Sequence, residues 1–111
     1  MNRQHPGISA ASWAALSLFD QMANIGSEVE RALNWREKGN LEYSNLSFYR
    51  SLELLDLTLD DRKHRHHLKE ITRLRECLVD FFSGSNQYRS TADSWRKYFY
   101  PFNFAARASI C

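Results

Sequence analysis

Glycine and proline are scarce, with four and two residues in a chain of 111, so little in this sequence interrupts a helix. The only cysteines are Cys77, inside an apolar helical pattern, and Cys111, at the very end of the chain, so no structural disulfide is expected. A reducing, cytoplasmic setting follows. No apolar run reaches the ~20 residues of a membrane span, and none near Arg3 is long enough for a secretion signal. The net charge of +2 lacks the basic excess of a nucleic-acid protein, so any polyanion contact has to be local. No Gly-rich phosphate loop occurs, and no serine stands in a nucleophile context. Glu37, Glu42, Glu53 and Asp56 are scattered without the inward Glu and Glu-x-x-His set of a carboxylate metal centre. Positive signs of an enzyme or a cofactor are therefore missing.

Aromatic residues are plentiful at 14%, and with so few breakers they argue for long helices packed around one core. A chain of this length buries about two-thirds of its unfolded surface, enough for one domain. The expected fold is all-α: a four-helix-like bundle built around a helical hairpin, with an extra N-terminal helix. The first 21 residues hold no Glu or Lys and only two charged residues, Arg3 and Asp20. This shift sets residues 1–26 apart as an arm, with residues 27–111 as the bundle and Met22 as an alternative start.

Along the chain, Trp13, Leu16 and Phe19 share one face of a short helix within Ser9–Ile25. Gly26 breaks the pattern, and Ser27 with Glu30 reads as a capping box that starts the next helix. Val29, Ala32, Leu33, Arg36, Asn40 and Tyr43 continue its stripe to an end near Ser44. After the polar break Ser44-Asn45, Phe48, Leu52, Leu55 and Leu59 recur at helical spacing, widened by Leu54 and Leu57. Asp60-Asp61 closes that helix or caps the next. A third helix carries Leu68, Ile71, Leu74, Leu78, Phe81 and Phe82 and stops at SGSN, residues 83–86. Ser90 with Asp93 reads as a further capping pair before Trp95, Tyr98, Phe99, Phe102 and Ala106, with Pro101 interrupting this last helix.

Residues 34–60, with Trp35, the Lys38-Gly39-Asn40 turn and then Leu52, Leu55 and Leu59, resemble a single tetratricopeptide-repeat unit. The resemblance implies a packed helical hairpin in which Gly39 lets the two backbones approach. It also implies a peptide-carboxylate grip by Arg36 and Asn40, one turn apart, with Arg36 standing where lysine is more usual. Ser51 and Thr58 depart from the alanines that the family favours, and the unit has no second copy.

Four further constellations bear on function. His64 and His67, one turn apart and near Asp60, have the spacing of a shared metal, but they make too few ligands, so no metal is assigned. Arg62 and His67 form an Arg-x4-His pair that resembles the dyad of HEPN-type ribonucleases, which would make His67 the acid/base and Arg62 the phosphate stabiliser. Arg62, His66, Lys69 and Arg73 line up as a basic stripe that Glu76 and Asp80 continue with opposite charge, the pattern of a solvated face. Trp95, Phe99 and Tyr100, with Arg96 and Lys97 between them, leave more aromatic surface than one seam buries and point to an interface.

The function expected from these residues is a non-enzymatic protein–protein interaction or scaffold module. Its binding residues would be Arg36, Asn40, Trp95, Phe99 and Tyr100, and its partner an unidentified protein or a second copy in a homodimer. The alternative is an RNA-binding or HEPN-like ribonuclease module using Arg62 and His67. No membrane partner is expected.

Overall fold

The computed structural model describes the backbone of residues 9–110 and the side chains of residues 9–102. Among the described residues the chain is all-α. It runs α1 (Ala10–Ala14), α2 (Leu18–Glu37), α3 (Leu41–Leu59), a 3₁₀ segment (Arg62–His67), α4 (Leu68–Ser83) and α5 (Ala92–Ile110). Ala106 lies beyond the described side chains.

The short helix expected within Ser9–Ile25 ends at Ala14, leaving Trp13 buried in α1 and Phe19 exposed in α2, and three further helix boundaries differ from the sequence expectation. Ser17, not Ser27, caps α2 by accepting from the Asp20 N–H, and the helix passes straight through Gly26. The Ser27 hydroxyl instead donates to the Ala23 carbonyl from mid-helix. The arm–bundle boundary at residues 26 and 27 therefore falls inside one helix, and the composition shift at Met22 marks no structural border. Gly26 is small for a different reason, because α5 crosses it.

The second difference is the hairpin turn, which lies at Lys38–Asn40 rather than at Ser44-Asn45. Gly39 has φ +80°, a left-handed conformation that a side chain resists. Its N–H donates to the Arg36 carbonyl and that of Asn40 to the Trp35 carbonyl, the paired closure of a Schellman motif. Gly39 thus ends α2 and has no atom within 4 Å of where a Cβ would stand, so it does not mediate helix–helix approach. Ser44, Ser47 and Ser51 then lie buried inside α3 against α2. The polarity of Ser44-Asn45 suggested a break, but two of the hydroxyls are satisfied within the hairpin: Ser44 donates to Ala32 O at 2.8 Å and Ser51 to Phe48 O at 2.5 Å.

Third, Thr91 and Ser94, not Ser90 and Asp93, cap α5 reciprocally, each backbone N–H reaching the other's hydroxyl at 3.0 and 2.9 Å. Pro101 lies within α5 and does not end it. The loop before α5 is held by Asp80, whose carboxylate accepts the Gln87 and Tyr88 N–H groups.

The core draws on every helix. Trp13 comes from α1, Ile25, Val29, Ala32 and Leu33 from α2, Phe48, Leu54 and Leu55 from α3, Ile71, Leu74 and Leu78 from α4, and Trp95 and Phe99 from α5. α2 is sandwiched between α3 and α5, while α4 leans on α3. Arg96 ties α5 down, with Nε on the Glu30 carboxylate at 3.0 Å, Nη2 on Glu37 at 2.7 Å and on Asn34 Oδ1 at 3.1 Å.

Candidate functional site

Two places stand out: a polar junction inside the fold and an apolar face on its surface. The junction forms because α1, five residues long, is too short to hold itself as a helix. Its Trp13 side chain is buried, and the indole N–H donates to Thr58 Oγ1 on α3 at 2.9 Å. Its last carbonyls are taken by distant side chains: Gln21 Nε2 donates to Trp13 O at 2.8 Å, and Lys63 Nζ donates to Ala14 O. Gln21 is fully buried, and its amide oxygen lies 2.8 Å from His64 Nε2. With the Gln21 nitrogen used as a donor, that oxygen accepts, so His64 carries its proton on Nε2.

Asp61 completes the junction. Its backbone carbonyl and one carboxylate oxygen open the 3₁₀ segment, accepting the His64 and Lys63 N–H groups. The other oxygen receives Lys63 Nζ at 2.6 Å and Gln21 Nε2 at 3.3 Å, and lies 3.5 Å from His64 Nε2. Burial pushes the Asp61 carboxyl up, but the bonds from Lys63 and Gln21 outweigh it and leave its pKa below the usual range. Burial lowers the His64 pKa; Asp61 opposes this, while Lys63 and His67 add to it.

The apolar face belongs to the first half of α3. Leu41, Tyr43, Leu46 and Tyr49 are 61%, 47%, 37% and 46% exposed, which puts four of the eight exposed large hydrophobic residues among the described side chains within nine positions. Tyr43 meets Trp35 of α2 edge to face at 4.9 Å, and Lys38 lies over the Trp35 ring at 5.2 Å. Tyr and Trp at such a density are what interfaces enrich. Sequence reading missed this face because it assigned Tyr43 to the buried stripe of the preceding helix. The Gly39-Asn40 pair, read as a C-terminal cap, would have found it.

The residues singled out from sequence are distributed differently. Arg36 donates to the Phe81 carbonyl at 3.2 Å and lies 4.7 Å over the Phe81 ring, pinning α2 to the end of α4. Asn40 caps α3 by accepting from the Tyr43 N–H at 3.0 Å. The two therefore serve helix ends. Trp95 and Phe99 are buried, so the aromatic face of α5 is spent within the bundle, while Tyr100 is 65% exposed. Arg96 is committed to α2 carboxylates, which raise its pKa, Glu37 first, and hold that of Glu37 down. Tyr98 donates to Glu70 at 3.3 Å, and burial together with that carboxylate pushes its phenol up to about 12.

Arg62, His66, Lys69 and Arg73 are all exposed, but they do not form one stripe. Arg62 and His66 lie in the 3₁₀ segment, where about three residues make a turn, so positions four apart diverge by about a third of a turn. Arg73 lies 5.4 Å over the Tyr88 ring. The same geometry separates Arg62 from His67, and His67 instead approaches Glu70 at 3.8 Å. His64 faces inward and His67 outward, so they share no site, and no group of three His, Cys, Asp or Glu side chains converges among the described residues.

The chain matches no family model, no curated protein and no solved structure. No helix among the described residues is long and apolar enough to cross a membrane.

Proposed function

We propose that this protein is a non-enzymatic protein–protein interaction module of the cytoplasm, working as a homodimer through the exposed face of α3. One observation carries the reading: Tyr43, Leu46 and Tyr49, spaced three apart along α3, are exposed on a helix whose opposite side is locked into the core by Phe48, Leu54 and Leu55. A rigid helix face with aromatic anchors loses little conformational entropy on association, which favours it over a loop as a contact surface.

Light scattering on the full chain and on a Leu46→Glu/Tyr49→Glu variant tests the reading. The expected result is a dimer whose mass halves in the variant while the helical circular dichroism stays unchanged. A native chain that is monomeric up to high concentration overturns the homodimer.

A further inference from the structure

The exposed face of α3 carries two opposite charges placed symmetrically about its centre. Leu46 stands in the middle, with Tyr43 and Tyr49 three residues to either side and Glu42 and Arg50 four residues to either side. At about 3.6 residues a turn, the two tyrosines lie about 60° from the Leu46 direction and the two charged residues about 40° from it, one on each flank. Resting on the homodimer reading above, we infer that the second copy docks in one orientation. The two α3 helices cross antiparallel at Leu46, and Glu42 of each chain pairs with Arg50 of the other.

Symmetry and charge together select this arrangement. A two-fold axis makes every contact occur twice, on the same patch of both chains. If the two helices ran parallel about that axis, each residue would meet its own copy, so that glutamate would face glutamate at position 42 and arginine would face arginine at position 50. In the antiparallel crossing the exchange is complete: Glu42 meets the partner's Arg50, Tyr43 meets the partner's Tyr49, and Leu46 meets itself on the axis. At an ordinary interaxial distance of about 9 Å, the Cα atoms of Glu42 and the partner's Arg50 stand roughly 6 Å apart, within easy reach of an ion pair. Opposite charges placed in this way fix orientation, and the like-charge contacts of the parallel pair work against it.

Neither charge is spent inside the chain. The ion pairs among the described residues involve neither Glu42 nor Arg50. Glu42 is exposed, while Arg50 is half-buried and its Nε is shielded from water without an acceptor. A guanidinium so placed has an unmet need for a carboxylate, and side-on pairing engages Nε together with one of the Nη atoms. Antiparallel helix dipoles favour the same orientation.

The test is sedimentation equilibrium at fixed salt on the full native chain, on Glu42→Arg, on Arg50→Glu and on the double exchange. Each single substitution sets like charges against each other at both pairs and is expected to weaken the dimer at least about fivefold, whereas E42R/R50E restores both pairs and returns to within about twofold of native. Singles that dimerise as well as the native chain, or a double variant as weak as the singles, overturn the pairing. A native dimer that Leu46→Glu/Tyr49→Glu splits while the charge variants leave it unchanged overturns the pairing and keeps the dimer face; a monomeric native chain overturns both. Should R50E fail to fold by circular dichroism, salt dependence decides. Between about 50 and about 300 mM salt the native dimer is expected to weaken and that of E42R, whose arginines repel, to strengthen. A native dimer that salt strengthens or leaves unchanged overturns the pairing.

Discussion

Gly26 of α2 lies directly beneath Phe99 of α5: a Cβ placed on Gly26 would stand 2.9 Å from Phe99 Cδ1 and 3.0 Å from its Cβ and Cγ. The only side chain that avoids this contact is a hydrogen atom. The close crossing brings Arg96 within reach of Glu30 and Glu37, and it places Trp95 and Phe99 in the core rather than on the surface.

Substitution at Gly26 therefore sets two effects against each other. Alanine raises helix propensity by about 1 kcal/mol, while overpacking costs about 1–3 kcal/mol, and the obstructing atoms include the Phe99 Cβ, which cannot swing aside. Gly26→Ala is expected to be neutral to mildly destabilising. Gly26→Val, bulkier and with a poorer helix propensity, is expected to lose about 2–3 kcal/mol. Urea denaturation followed by circular dichroism measures both, and a Gly26→Val chain as stable as the native one would contradict the crossing.

Thr58 is fully buried; it accepts the Trp13 indole N–H and donates to Leu54 O at 2.8 Å. Thr58→Val keeps the shape but strands a buried donor, at a cost of about 1–3 kcal/mol. Thr58→Ser retains the acceptor and should lose less. Thermal melts rank the three chains, and a loss in Ser with none in Val would mean that the methyl group, not the hydrogen bond, matters.

Arg96 reaches Glu30, Asn34 and Glu37 from a half-buried position, with both carboxylates exposed to solvent. Arg96→Met should lower the melting temperature by a few degrees in dilute buffer, less than Gly26→Val does, because exposed ion pairs contribute little. The difference from the native chain should shrink as salt is added, since screening removes what the substitution removes. A gap that is constant from low to high salt would assign the effect to packing of the arginine stem.

Much of the architecture was legible in the sequence. The spacing of Ile71, Leu74 and Leu78 and the SGSN stop describe α4 as found, because an amphipathic period and a glycine cap are local properties of the chain. The same local reading mistook Gly26 for a break and Ser44 for a turn. A lone glycine and a lone serine carry the same sequence signal whether they end a helix or sit at a helix crossing. Only the neighbour decides: Phe99 over Gly26, and the Ala32 carbonyl within 2.8 Å of Ser44 Oγ.

Among the candidate residues, the exposure of Tyr100 and the basic side chains of the 3₁₀ segment followed from position alone. The roles of Arg36 and Asn40 as helix fasteners, the burial of Trp95 and Phe99, and the meeting of Gln21 with His64, 43 positions away, did not. Sequence fixed which helices could form, since helix formation draws on residues within a turn or two of each other. Tertiary packing decided which polar and aromatic groups met, because burial and hydrogen-bond pairing depend on residues that the chain brings together only when α1, α2, α3 and α5 close on one core.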